Sequence, residues 1–136
     1  MKTTEEILKE PFRLTQKLNA LKIRLAEFQR LASASTGPTY GKEIVDKTRN
    51  LEAPFIKWID KIMETEKKIA KVEKDLNAVK KQILEAVEKL DNEDYKNIII
   101  MRYLNFYTWP DICKKLYISY STCKRWNRNA TKSVRL

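Results

Sequence analysis

The feature that most constrains the fold of this chain is an apolar seven-residue repeat that runs from Phe55 to Leu90. One row of the repeat contains Phe55, Ile62, Ile69, Leu76, Ile83 and Leu90. The second row, three residues later each time, contains Trp58, Thr65, Val72, Val79 and Ala86. Charged residues fill most of the other positions, which is the pattern of a coiled-coil helix. A single helix cannot bury such a seam, so the repeat requires a partner helix.

A second apolar stripe near the N-terminus supplies this partner. Its residues follow one another at spacings of four and three: Leu14, Leu18, Leu21, Leu25, Phe28 and Ala32. Prolines suit the first turn of a helix, so we expect the first helix to begin near Pro11, after a short helical turn over 4–9, and to end near Ser33. By the same reasoning, the second helix begins at Pro54.

Residues 34–52 separate the two stripes and contain both glycines of the chain, which predicts a connector loop. The scarcity of glycine and proline elsewhere favours an all-α fold, and an antiparallel coiled-coil hairpin over residues 1–90 is the simplest arrangement. Because the second helix is the longer of the two, part of its stripe stays uncovered unless the C-terminal residues or a second chain pack there. We therefore expect a homodimer formed through the coiled coil.

Residues 91–136 are expected to form a separate C-terminal module. Asp91 and Asp94 resemble the start of a helix over about 92–104. Thr108 then has the spacing to cap a helix that ends near Leu116, and Ser119 caps a last helix that ends near Val134. Two short helices joined by the tight turn 117–119, the second of them basic, indicate a helix-turn-helix.

The last helix has an apolar side and a basic side. The expected core of the helix-turn-helix contains Ile112, Cys113, Leu116, Ile118, Cys123, Trp126 and Ala130. The candidate DNA-binding residues are Tyr120, Ser121, Thr122, Lys124, Arg125, Arg128 and Lys132. Large aromatics such as Tyr103, Phe106 and Trp109 have core spacing, so we assign them to packing and make Tyr120 the exception.

Charge is concentrated in the same C-terminal region. The whole chain has a net charge of +10, and from Arg102 onward Asp111 is the one acidic residue against eight basic ones. This distribution predicts affinity for a polyanion such as double-stranded DNA. The alternative interpretation is a basic face that is merely solvated or that binds an acidic protein.

The residue types present argue against several other classes. The chain has no histidine and two cysteines, Cys113 and Cys123, so we expect no metal site, no cofactor and no enzymatic activity. Both cysteines are interpreted as small core residues without a disulfide. No apolar run is long enough to span a membrane and the N-terminus lacks a signal-peptide core, so a cytoplasmic protein is expected.

The run TWPDICKKLYISYSTCKRWNRNA, residues 108–130, resembles region four of sigma factors. The positions that match this pattern are Asp111, Ile112, Leu116, Ser119 and Ala130. Tyr117 stands where that pattern has the turn glycine, so we expect a left-handed or strained backbone there. The chain as a whole resembles the ArpU-like late transcription regulators of phages, with 31–35, 69–90, Asp91 and the segment 99–103 in the expected places.

This resemblance implies a sequence-specific DNA-binding regulator of phage or prophage genes, and contact with RNA polymerase as in other region-four modules. One alternative is a small terminase subunit or packaging component, in which the DNA-binding part usually precedes the coiled coil. A second alternative is a coiled-coil interaction protein with a basic tail, which would not distinguish duplex DNA from another polyanion.

Overall fold

The computed structural model describes the backbone of residues 2–35 and 44–136, and the side chains of residues 2–34 and 55–136. All regular elements in these ranges are helical, which confirms an all-α fold. In chain order they are α1 (Thr4–Ser35), α2 (Ile44–Glu88), α3 (Glu93–Ile99), a π-helical segment (Ile100–Leu104), α4 (Trp109–Leu116) and α5 (Tyr120–Ser133). None of the helices in the described part of the chain is long and apolar enough to cross a membrane.

Helix α1 begins earlier than the position of Pro11 suggests. Thr3 and Glu6 form a reciprocal capping box, in which the Glu6 N–H donates to Thr3 Oγ1 at 3.2 Å and the Thr3 N–H donates to a Glu6 carboxylate oxygen at 3.4 Å. The helix then continues through Pro11, whose side chain is fully buried, and ends at Ser35. The prediction of a separate short turn over 4–9 was wrong, because the capping box and the packing of Pro11 outweigh the one backbone hydrogen bond that proline removes.

Helix α2 also begins before its proline. It starts at Ile44 and includes Pro54, so the part of the predicted connector 34–52 that covers 44–52 was wrong. The sequence continues the four-three spacing upstream of Phe55, through Leu51, Thr48 and Ile44, and this spacing favours a longer helix. Residues 36–43 of the predicted connector lie outside the described residues.

The chain divides into two compact units. The hairpin unit contains residues 16–73 and the C-terminal unit contains residues 1–15 and 74–136. In the hairpin unit, Phe28 of α1 stacks on Trp58 of α2 with 5.9 Å between ring centroids. The positions of both apolar rows that fall in this unit are buried or half-buried, as the repeat predicts.

The C-terminal unit has its own core, in which Leu8 of α1 packs with Ile83 and Val87 of α2. Residues near the start of α1 thus meet the end of α2, and Phe28 near the end of α1 meets Trp58 further upstream, so the two helices run antiparallel. The other buried residues of this core are Ala86, Ile99, Ala130 and Val134. The end of the α2 stripe is therefore covered by the start of α1 and by the C-terminal residues, which were one of the two possible partners named from the sequence.

This packing explains why the units differ from the division at residue 90 that the sequence suggests. The same packing covers the end of the α2 stripe within one chain, so this part of α2 does not require a second chain. The homodimer stays a prediction.

Helix α3 is capped by Asn92 and not by the predicted Asp91. The Asn92 side chain accepts hydrogen bonds from the N–H groups of Asp94 and Tyr95 at 2.9 and 3.3 Å, and its extended backbone suits a cap residue. The predicted extent to Leu104 is confirmed, although the last turn is π-helical, since the Asn105 N–H donates to the carbonyl of Ile100 at 2.9 Å.

Candidate nucleic-acid interface

Two capped helices form the frame of the candidate site. Thr108 caps α4 by accepting a hydrogen bond from the Asp111 N–H at 3.3 Å. Ser119 caps α5 by accepting one from the Thr122 N–H at 3.2 Å. Both cap residues and both helix starts were predicted from the sequence and are confirmed.

The turn between these helices has a left-handed residue at Tyr117, with φ 56° and ψ 46°. The N–H groups of Tyr117 and Ile118 both donate to the carbonyl of Cys113, which lies in the last turn of α4. The expected left-handed backbone at this position is confirmed. Glycine is the usual residue for this conformation because it has no Cβ.

A small apolar core lies beneath the turn. Ile98, Ile112 and Cys123 have no exposed surface, and half-buried residues that include Trp109, Cys113, Leu116, Ile118 and Trp126 pack against them. Every residue assigned to the core of the helix-turn-helix from the sequence is therefore buried or half-buried.

Two polar contacts fix the inner side of α5. The Tyr103 hydroxyl donates to Asn127 Oδ1 at 3.2 Å, and Asn129 Nδ2 donates to the Tyr95 hydroxyl at 3.3 Å. Burial raises the pKa of Tyr103, so the phenol keeps the proton that it donates. These contacts, together with the apolar core, hold the opposite side of α5 toward the outside.

The outer face of α5 contains Ser121, Lys124, Arg125, Arg128 and Lys132. At 100° per residue these positions lie within an arc of about 100°, and the distance along the helix from Ser121 to Lys132 is about 17 Å. All of them except the half-buried Lys124 are exposed. Among the described side chains, 2–34 and 55–136, no carboxylate forms an ion pair with a cation of this face.

Lys124 is held differently from its neighbours. Its ammonium group lies 4.8 Å from the ring centroid of Trp109 and 5.4 Å from that of Tyr120. The Arg102 guanidinium lies 4.5 Å from the same Trp109 ring and donates a hydrogen bond to the Tyr107 carbonyl at 3.0 Å. This cluster was not predicted from the sequence, because Arg102 and Trp109 are distant in sequence from Lys124 and no spacing rule joins them.

The hydroxyl groups at the start of α5 form their own network. Ser119 Oγ donates to Thr122 Oγ1 at 2.8 Å and lies 3.3 Å from Ser121 Oγ. Thr122 is half-buried and belongs to the cap. Tyr120 is exposed, as expected, and Ser121 is exposed beside the network.

Cys113 and Cys123 are both free thiols. Burial, with a smaller contribution from Cys113, raises the pKa of Cys123 to about 11. This agrees with the interpretation of the pair as core residues. The described part of the chain contains no cluster of three or more His, Cys, Asp or Glu side chains that could hold a metal ion.

Comparison with known proteins gives one family. The family described as "Protein of unknown function (DUF1492)" matches residues 47–135, which include most of α2 and all of α3, α4 and α5. Neither a curated protein nor a solved structure matches the chain significantly. Because the match extends over more than half of the chain, the protein belongs to this family of unknown function, DUF1492.

Proposed function

We propose that the protein is a sequence-specific, double-stranded DNA-binding transcriptional regulator with α5 as its recognition helix. The observation that carries this proposal is the outer face of α5, where exposed Arg125, Arg128 and Lys132 have no carboxylate partner among the described side chains. This face belongs to the second helix of a capped helix-turn-helix. The major groove of B-DNA is about 12 Å wide and admits one α-helix in this way.

The positions along α5 suggest a division of roles. Side chains near the N-terminal end of a recognition helix reach base edges, whereas cations further along neutralise phosphates. Arg125 lies in the second turn of α5 and has a planar guanidinium that suits the two acceptors of guanine. Arg128 and Lys132 follow on the same face and suit phosphate contacts. Lys124, which is held against Trp109 and Tyr120, is a weaker candidate for base recognition than Arg125.

The regulatory part of the proposal rests on resemblance to sigma region four and to the ArpU-like phage regulators. It includes control of phage or prophage genes, contact with RNA polymerase and assembly of two chains through the coiled coil. Regulation, and not enzymatic activity, is the role we propose.

The test is selection of bound sites from random duplex DNA, followed by affinity measurements at several salt concentrations. We expect a defined motif and, for about five neutralised phosphates, a slope of log affinity against log salt near about −4.5. Arg125→Ala should weaken binding to the selected site by about tenfold and relax one base position. The matched control is Arg24→Ala, which removes an exposed cation from α1 and should leave affinity almost unchanged.

Equal losses in the Arg125→Ala and Arg24→Ala variants would show that net charge alone drives binding. Absence of any selected motif would contradict sequence-specific recognition. Binding to heparin and to duplex DNA with the same affinity at the same salt concentration would instead favour the interaction-protein alternative.

A further inference from the structure

Two residues other than glycine have a left-handed backbone in the described part of the chain, and both are aromatic. They are Phe106 with φ 62° and Tyr117 with φ 56°. This conformation brings the Cβ close to the backbone carbonyl oxygen and costs about 1 kcal/mol or more for such residues. A bulky side chain in this conformation therefore needs a compensating contact.

Phe106 has its compensating contacts within the chain. Its ring meets the ring of Phe12 edge-on, with 5.5 Å between centroids and 72° between planes. The ammonium group of Lys80 lies 5.6 Å from the centroid of the Phe106 ring. Packing of the side chain thus explains why a phenylalanine occupies a position that favours glycine.

Tyr117 has no comparable contact. Its surface is 93% exposed, and no ring, cation or hydrogen-bonding side chain among the described residues contacts it. Its backbone N–H donates to the carbonyl of Cys113, and glycine would form this hydrogen bond equally well. The tyrosine side chain therefore does not stabilise the turn.

We propose that Tyr117 is a DNA-contacting residue, whose hydroxyl donates a hydrogen bond to a phosphate beside the groove that α5 enters. This inference rests on the proposed function and adds to it a residue outside the predicted set. Backbone strain retained at an exposed site points to use of the side chain outside the chain itself. Tyrosine is among the side chains that bind phosphate oxygens in protein–DNA complexes.

The position of Tyr117 favours DNA over a protein partner. It lies two residues before the cap Ser119, at the end of α5 whose side chains are proposed to reach the bases. The last turn of α4, just before it, carries Lys114 and Lys115, and no carboxylate within the described chain forms an ion pair with either. Tyr120, the next exposed aromatic, is 56% exposed at the same end of α5. This end therefore offers exposed phenols and cations together, a combination suited to a phosphate backbone.

The test uses three variants of the full chain and the duplex selected by the wild-type protein. Tyr117→Gly and Tyr117→Asn both accommodate the left-handed backbone and both remove the phenol. Each should weaken DNA binding by about tenfold, whereas Tyr117→Phe, which loses the hydroxyl alone, should weaken it by about fivefold. The melting temperature of Tyr117→Gly should rise by about 2 °C, because the strain is removed.

Salt dependence separates this contact from a cationic one. Tyrosine is neutral and releases no counterion, so the slope of log affinity against log salt should be unchanged in Tyr117→Phe. Arg128→Ala should reduce the same slope by about one unit.

Wild-type affinity in Tyr117→Gly and Tyr117→Asn would overturn the inference and leave the proposed function intact. A wild-type protein that binds no duplex would overturn both. Normal DNA binding by these variants with lost binding to RNA polymerase would assign Tyr117 to a protein contact and overturn the DNA assignment.

Discussion

The hydroxyl of Tyr103 donates to Asn127 Oδ1 across 3.2 Å and so joins the π-helical segment to the inner side of α5. The two residues are 24 positions apart in sequence, and the contact fixes the rotation of the proposed recognition helix about its own axis. With the Asn129 contact to Tyr95, it turns the cations of the outer face away from the core.

Tyr103→Phe should therefore destabilise the fold without changing its packing. The substitution removes one donor and leaves Asn127 Oδ1 without it, so the free energy of unfolding should fall by about 1 kcal/mol. Denaturant unfolding followed by circular dichroism measures this change. Tyr120→Phe is the matched control, because the Tyr120 hydroxyl forms no hydrogen bond within the described chain and its loss should leave stability unchanged. Equal stability of the two variants would contradict a structural role for the Tyr103 contact.

Lys124 and Arg125 are adjacent in sequence, yet their substitution by alanine should change the stability of the protein to different extents. Lys124→Ala removes the cation from the rings of Trp109 and Tyr120 and should lower the free energy of unfolding by about 1 kcal/mol. Arg125→Ala removes an exposed cation that forms no ion pair with the described side chains, and stability should stay within about 0.5 kcal/mol of the wild type. Thermal unfolding of the two variants at the same salt concentration compares their stabilities with that of the wild type. A larger loss of stability in Arg125→Ala would contradict the structural difference between the two side chains.

Local signals were sufficient to predict the helix-turn-helix. The cap spacing at Thr108 and Ser119 and the inward positions of Ile112 and Cys123 all depend on residues close in sequence, whereas the left-handed backbone at Tyr117 was expected from the resemblance to sigma region four. The apolar periodicity is local in the same sense, so the heptad rows indicated α2 and the four-three spacing indicated α1.

Contacts between distant residues could not be predicted in this way. The core around Leu8 depends on the end of α2 and on α5, which no local pattern connects to the N-terminus. The cluster of Arg102, Lys124 and Trp109 likewise forms only when three elements meet. Proline was misread twice as the beginning of a helix, because its effect depends on the hydrogen bonds and packing around it.

Cys123 should make stability depend on pH in the alkaline range. Its pKa is raised from 9.0 to about 11, so the folded state keeps the proton over a range in which the unfolded state loses it. The stabilisation that the protonated thiol contributes to the free energy of unfolding is therefore fully present below pH 9 and is lost as the pH rises toward 11. The difference in unfolding free energy between the wild type and Cys123→Ala, measured from pH 7 to 11 under reducing conditions, should shrink or change sign along this range. A difference that is independent of pH would contradict the burial of a protonated thiol.

The number of chains bound to DNA should agree with the symmetry of the selected motif. A homodimer places two α5 helices in successive major grooves, which requires two half-sites with centres about 34 Å, or one helical turn, apart. Analytical ultracentrifugation of the free protein and of its complex should then give two chains and an inverted-repeat motif. One chain on an asymmetric motif would contradict the homodimer and leave DNA recognition by α5 intact, since the apolar contacts of Ile83 and Val87 are already made within one chain. A ring of eight or more chains would instead favour the packaging alternative, in which assembly and not promoter recognition is the primary task.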